Sequence, residues 1–221
     1  MAIAFTDSDT YQSGSGGYVT THTLPDIDVS GTDTLAIAVG FNRNPLSDVS
    51  SWTFEGNSPT SLINAINTNV AAIQSYYYLI NNAATTIVSN TPSYKLQAII
   101  GLGLSGVDQT TPIAGSSAAA SGYSSAASHS YTGTSGNLLL VFVTTSADRT
   151  YTATNCTALQ SVTHADANCG SGFVGYVTAT GSSQSVGATW TTDTNWECAV
   201  VEITPASAST STSKLTLLGV G

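Results

Sequence analysis

Three stretches of this chain recur in the same order roughly 100 residues further on. "DTLAIAVGF" at 33–41 resembles "GNLLLVFVT" at 136–144. "SYYYLINNAATTIVSN" at 75–90 resembles "GFVGYVTATGSSQSVG" at 172–187, and "YKLQAIIGLGLSG" at 94–106 resembles "NWECAVVEITPAS" at 195–207. An ordered repeat obliges each half to build the same arrangement, so it limits the available folds more than any single motif does. Between the halves, "IAGSSAAASGYSSAASHS" at 113–130 reads as a small-residue crossover. Each half holds about five strands and is near the lower size limit for a core of its own. The expectation is one antiparallel β-sandwich, jelly-roll-like, spanning 1–205. Its two similar halves, about 30–112 and 131–205, would contribute strands to one shared core.

Local patterning agrees with an all-β chain. Short apolar or alternating runs rich in β-branched and aromatic residues are punctuated by Gly, Asn, Asp and Ser. They predict strands at 17–23, 34–42, 50–55, 60–66, 71–80, 84–89, 93–106, 128–132, 137–146, 150–154, 157–163, 171–179, 184–190, 195–204 and 214–219. Near-helical spacing occurs only in "TSLINAINTNVAAIQ" at 60–74. Its asparagines are poor helix formers, so it reads as strand, loop and strand with room for a helical turn.

Gly101, Gly103 and Gly106 spell G-x-G-x-x-G after an apolar run, as a dinucleotide-binding fingerprint does. That fingerprint needs a helix N-terminus directly afterwards to hold the pyrophosphate. Here "VDQTTPIAGSS" follows, and no helix of useful length starts in it. The repeat also equates Gly101 with Glu202 and Gly103 with Thr204, so the second half keeps the strand and drops the glycines. The stretch therefore reads as a strand with Ala98, Ile100, Leu102 and Leu104 inward. Gly101 and Gly103 lie on a bare outer face that another backbone or a flat side chain can approach. "GVDQTTP" closes the strand as a turn, with Asp108 placed to cap backbone N–H groups.

Composition then excludes whole classes of partner. Only 8% of the 221 residues are charged and the net charge is −9. Four cations, Lys95, Lys214, Arg43 and Arg149, cannot build the basic patch that phosphate backbones or anionic membranes require. Few acids and bases also weigh against catalysis. The surface must draw its polarity from Ser, Thr, Asn, Gln and Gly, which suits extracellular exposure. Yet "MAIAFTDSDTYQSGSGG" carries no secretory signal, and no stretch has the roughly 18 apolar residues of a membrane span. A virus particle protein, made in a host cytoplasm and exposed after lysis, reconciles the two; a mature chain or one that has lost its signal also fits.

The residues that carry chemistry are scattered. No G-x-S-x-G elbow surrounds a serine, and the histidines are His22, His129 and His164. His164, Asp166 and Cys169 are zinc-type ligands without a second ligand pair, so a polar hairpin loop is the preferred reading. Asp7, Asp9, Asp26, Asp28 and Asp33 are oxygen-rich turn residues off any EF-hand spacing, with calcium as the minor alternative. The glutamates Glu55, Glu197 and Glu202 form no glycosidase pair, and Glu202 is expected to point outward. Tyr76, Tyr77, Tyr78, Trp52, Trp190 and Trp196 offer a sugar platform or core packing, with packing preferred. Three cysteines, Cys156, Cys169 and Cys198, make no framework; a Cys156–Cys169 bridge across a hairpin is an alternative to buried free thiols. No cofactor and no metal is expected.

"LAIAVGF", "SSWTFEG", "YYYLINNAATTIVSN" and "LSGVDQTTPI", read in that order, resemble a recurrent β-sandwich, jelly-roll-like domain of tailed-phage virion proteins and environmental surface proteins. The resemblance covers roughly residues 30–115, and "SGVDQTTP" is its most specific part. Where that family shows "NPP-G" before its "T-V-x-V" strand, this chain has "NNAA". The ending "LTLLGVG" at 215–221 is similar to endings of such phage proteins. The resemblance brings no catalytic motif. It implies a virion structural protein, first of all a capsid decoration or cement protein, contacting the major capsid protein or other virion subunits as a homo-oligomer or lattice. The alternative is a carbohydrate- or receptor-binding module of a tail or fibre. Residues 206–221 form a Ser/Thr linker and an apolar tail. Leu215, Leu217, Leu218 and Val220 in that tail, with Gly101 and Gly103, are the candidate interface residues.

Overall fold

The computed structural model describes residues 2–12, 19–42, 51–67, 71–79, 84–95, 98–116, 120–163 and 171–207. The described chain is all strand and turn. The strands are β1 Ala4–Gln12, β2 Val19–Asp28, β3 Leu35–Asn42, β4 Ser51–Phe54, β5 Thr60–Asn67, β6 Ala71–Leu79, β7 Ala84–Lys95 and β8 Ala98–Ser105. The second half adds β9 Ile113–Ser116, β10 Ala120–Thr132, β11 Leu138–Thr145, β12 Thr152–Thr154, β13 Thr157–Val162, β14 Ser171–Thr178 and β15 Ser183–Ile203.

In the first half, a five-stranded sheet in the order β1-β8-β3-β6-β5 lies against a three-stranded sheet, β2-β7-β4. Eight antiparallel strands divided this way form a jelly roll. The second half repeats it with two strands running through both sheets. Ala120–Ser124 of β10 pair with Thr194–Cys198 of β15, and after a bulge Ala126–Thr132 pair with Thr189–Ser183. The large sheet is then β10-β15-β11-β14-β13, and β12 joins the early part of β15 as the counterpart of β4. Strand for strand, β3 matches β11, β5 matches β13 and β6 matches β14. The late part of β15 takes the place of β8. Even a bulge is repeated: the register slips at Leu62 in β5 and at Leu159 in β13.

The expectation of one core shared by both halves is corrected in one respect. A shared core exists, between the two large sheets, where Leu35, Ile37, Val39 and Phe41 meet Leu138, Leu140, Phe142 and Val201. Each roll also has its own core. The first packs Ala36, Ala38 and Ile99 against Leu24, Ile27, Trp52, Phe54 and Ile87. The second packs Leu139, Val141, Val143 and Phe173 against Val186, Ala188 and Trp190. Strands β3 and β11 are apolar on both faces because they separate two cores, which is why each reads as an unbroken apolar run.

The large sheets face each other with approximate two-fold symmetry. β3 contacts β14 while β6 contacts β11, and β8 contacts β14 while β6 contacts β15. Each contact is the other's mirror under the strand equivalence, as in an isologous dimer. The symmetry is broken by size. The Phe41 ring lies over Gly172, where any Cβ would overlap it. At the two-fold-related positions the ladder puts Thr144 in place of Phe41 and Ile73 in place of Gly172.

Two parts of the sequence reading differ from the fold. The segment 113–130 is not a bare crossover: β9 and most of β10 occupy it, and β1 is a further strand that the patterning misses. The predicted strand at 214–219 lies outside the described residues. Residue equivalence within the repeat also moves by two. Gly103 stands opposite Ala36, and Glu202 stands opposite Leu139, so Gly103 and not Gly101 is the counterpart of Glu202. A slip of two preserves the in–out alternation, so hydrophobic pattern alone does not detect it.

The Phe41–Gly172 contact gives a test of how the rolls are locked. Phe41→Ala is expected to cost about 3–5 kcal/mol by cavity formation. Gly172→Ala is expected to cost about 1–3 kcal/mol by overpacking. The double variant should lose less than the sum, because the new methyl enters the space the ring vacates. Urea denaturation of all four proteins measures this, and strict additivity would contradict the contact.

Candidate functional site

The face expected to be open over Gly101 and Gly103 is filled by the chain itself. Leu24 and Ile27 of β2 cover Gly101, and the Asp28 carbonyl and Thr6 hydroxyl cover Gly103. The close backbone approach inferred from the glycines is present, but the approaching backbone is β2, not a partner chain. Thr6 Oγ1 donates to Asp28 O at 2.6 Å, and Asp28 N donates to Asp7 Oδ2 at 2.9 Å, fixing β1 to the end of β2. Leu215, Leu217, Leu218 and Val220 lie outside the described residues.

The "SGVDQTTP" turn sits where the two halves are stitched together. Gly106 takes a φ of 72°, a left-handed conformation that favours glycine. Asp108 Oδ1 accepts from Thr110 N at 2.8 Å and Thr111 N at 2.7 Å, capping the turn as its sequence suggests. The Thr111 and Thr110 amides hold the Asp108 carboxyl below its ordinary range. Val107 N donates to Asp33 O, Asp108 N to Thr204 O and Ala206 N to Gly106 O. One turn thus hydrogen-bonds to the start of β3 and to the chain leaving β15.

The metal candidates do not assemble. His164, Asp166 and Cys169 lie outside the described residues. Asp7, Asp9 and Asp28 spend carboxylate oxygens on backbone N–H groups, Asp7 on Ser8 and Asp28, Asp9 on Thr10, Asp28 on Ser30. Among the described residues, no group of three His, Cys, Asp or Glu is placed to hold a metal ion. Cys156 and Cys198 are free thiols.

Glu202 is a correction: it points inward and is 4% exposed. Its Oε1 accepts from Thr134 N and Asn137 Nδ2, both at 2.7 Å, and its Oε2 accepts from Tyr131 Oη at 3.0 Å. Burial raises its pKa, but the Thr134, Asn137 and Tyr131 donors outweigh that and leave it below the ordinary value. Burial and the Glu202 carboxylate push the Tyr131 phenol up to about 12. This cluster ties the 133–137 turn to β15. In the first roll the matching position is Gly103, and the backbone of Asp28 occupies the space instead.

The aromatic platform is also redistributed. Trp52 is 4% exposed and stacks on Tyr76 at 5.4 Å, while Trp190 is 7% exposed beneath Tyr151. Both are core residues. Trp196 lies over Gly122 and donates from Nε1 to Ser124 Oγ at 2.9 Å. Among the described residues the outward aromatic is Tyr123, 69% exposed on β10, which the sequence reading did not single out because its small, polar neighbours give no strand signal.

One shallow cleft of about 150 Å³ opens at the side of the second roll, lined by Tyr151, Ala158, Leu159, Gln160, Ser161 and Phe173. Behind it, Tyr151 joins a knot of buried hydroxyls. Tyr151 Oη is 2.7 Å from both Thr145 Oγ1 and Ser171 Oγ, and Ala147 O accepts from both of the latter. Burial pushes the Tyr151 phenol up to about 12, against the opposing pull of the Ser171 and Thr145 hydrogen bonds. It therefore stays neutral at physiological pH. The cleft offers a ring wall, an amide and a hydroxyl, a combination suited to holding a neutral polar group.

Comparison of the chain with family models, with curated proteins and with solved structures gives no match.

His22 yields a pH prediction. It is fully buried on β2, edge-on to Tyr11 at 5.6 Å, and burial lowers its pKa to about 4. The unfolded chain takes up this proton below about 6.5 and the folded chain only near 4, so folding stability is lost as pH falls through that window. The span corresponds to roughly 3 kcal/mol. His129, half-buried on β10, is also lowered by burial, so the informative quantity is the difference between wild type and His22→Leu. Urea midpoints at pH 7, 5.5 and 4.5 should fall more steeply for wild type; equal slopes would contradict the assignment.

Proposed function

We propose that this chain is a structural protein of a tailed-phage virion, first of all a decoration or cement protein on the capsid. The observation that carries the reading is the position of "SGVDQTTP". The residues with the strongest resemblance to virion domains also form the backbone junction between the two rolls. Jelly rolls recur in viral capsid and lectin domains, so the architecture suits either reading and decides neither by itself. The mechanism is passive. Two rolls joined through a continuous apolar layer make a stiff block, and such a block laid across a joint between subunits resists their separation by the area it buries. Its partners are the major capsid protein or other virion subunits, and its place is on the particle.

A second reading, a glycan- or receptor-binding module of a tail or fibre, draws on the side cleft at Tyr151 and on exposed Tyr123.

Mass spectrometry of purified particles tests the first reading. The chain is expected at a copy number matching a symmetry position of the capsid, and its absence from particles would end the proposal. A glycan array tests the second. Specific, saturable binding should weaken at least tenfold, about 1.4 kcal/mol, in Gln160→Ala or Tyr123→Ala. Trp52→Ala and Trp190→Ala would instead probe the core.

A further inference from the structure

We propose that the first jelly roll encloses a binding site for a small neutral guest bearing hydroxyl groups, between its two sheets and framed by His22, Trp52 and Gln74. Two facing rows define the place. On the small sheet, His22 and Trp52 each stand opposite Ser89, giving the row His22–Ser89–Trp52 across β2, β7 and β4. On the large sheet, Tyr11 pairs with Ile99, Ile99 with Gly40 and Gly40 with Gln74, giving a row across β1, β8, β3 and β6. Aromatic pairs close the flanks: Tyr11 meets His22 at 5.6 Å, and Trp52 stacks on Tyr76, the next residue inward from Gln74 on its face. Between them the rows present two small residues, Ser89 and Gly40.

Four polar atoms here have no hydrogen-bond partner among the described residues: His22 Nδ1 and Nε2, Trp52 Nε1 and Gln74 Oε1. Their residues are 0%, 4% and 3% exposed. Gln74 Nε2 donates to Asn64 Oδ1 at 3.2 Å, which orients the amide and leaves its oxygen as the free end. Each atom left dry carries its full desolvation penalty, and native interiors hold few such groups, so four framing one spot mark it out from the scattered single atoms at Ser75 and Trp190.

The chemistry of the four atoms specifies the guest. The indole N–H only donates, the amide oxygen only accepts, and a neutral imidazole does one of each. A hydroxyl group both donates and accepts, so it satisfies all three side chains. A charged guest is disfavoured, because a buried ion requires a buried counter-charge. Water and a small polyol or sugar share this chemistry.

The second roll is more apolar at the same level, although its Trp190 indole N–H is likewise without a partner among the described residues. There Val143 takes the place of Gly40, Phe173 that of Gln74 and Cys198 that of Ile99, as the shared ladder positions require. All three are buried in that roll's apolar core. The first roll has a glycine and a glutamine where the second has a valine and a phenylalanine, which leaves less side-chain volume on β3 and β6 and adds a hydrogen-bonding group, while Ile99 on β8 is larger than Cys198.

High-resolution crystals of the whole protein test the site in two arms, one in a buffer free of polyols and one soaked in xylose. Density within hydrogen-bond distance of Trp52 Nε1 and Gln74 Oε1 is expected in the first arm as water. Xylose density in the second arm identifies an organic guest; unchanged water identifies water as the occupant. A dry chamber, or protein groups bonded to both atoms, overturns the proposal. Gln74→Met supplies a solution readout, with Asn64→Ala as the control for the lost amide bond. Relative to that control, an occupied site lowers Tm by roughly 2–4 °C. An unchanged or raised Tm, the result of deleting an unpaired acceptor, overturns it.

Discussion

Everything else in this molecule depends on the apolar layer between the two large sheets. Leu35, Ile37, Val39 and Phe41 on one side and Leu138, Leu140 and Phe142 on the other are removed from water only because the rolls face each other. A single two-layer roll alone would leave one large-sheet face bare, an apolar patch of a size that soluble monomers rarely expose. The need to cover both faces of β3 and β11 therefore sets the four-layer order: small sheet, large sheet, large sheet, small sheet. It also explains how a chain with 8% charged residues holds a defined fold. Side chains interlocking across sheets supply specificity of a kind that needs no ion pairs.

The central strands were legible in the sequence because they are unusual. A strand buried on both faces writes a continuous apolar run, and 34–42, 137–146 and 195–204 carry such runs. The repeat was legible because those runs recur in order. The flanking strands were not. "AFTDSDTYQ" and "ASGYSSAASHSYT" lie at or near sheet edges, where the backbone pairs on one side and the side chains stay half-exposed, so nothing obliges an apolar alternation. The crossover expected at 113–130 was in fact the counterpart of the strands opening the first half.

The functional side chains were harder to read, for a related reason. Glu202 sits in an apolar run, and by pattern a carboxylate there belongs outside. It is inside because Thr134, Asn137 and Tyr131, more than 60 residues away in sequence, supply its donors. Those partners become neighbours only through the fold. Trp52 and Trp190 were recognisable as core aromatics or as a platform, and only the position of the small sheets decides for the core. Asp108 was the opposite case. Its partners are two and three residues ahead, so the turn motif alone announced the cap.

The near-symmetry of the rolls bears on what each half is free to become. In a true homodimer every change on one face appears on both, so a large residue at Phe41 would need a glycine at both partners of the two-fold. Covalent linkage removes that condition. Here the size pattern is inverted across the axis, Phe41 over Gly172 and Ile73 with Thr144 at the related positions, so neither half is complementary to a copy of itself. The same freedom operates away from the interface. Gly40 and Gln74 in the first roll answer to Val143 and Phe173 in the second, and Gly103 answers to Glu202. The second roll fills these positions with apolar side chains and has the cleft beside Tyr151 at its side. The first places polar groups inside, at His22 and Gln74. A duplicated scaffold whose shared layer supplies the rigidity can tolerate one half departing from ideal packing, and the half that departs is where a ligand role is most economically built.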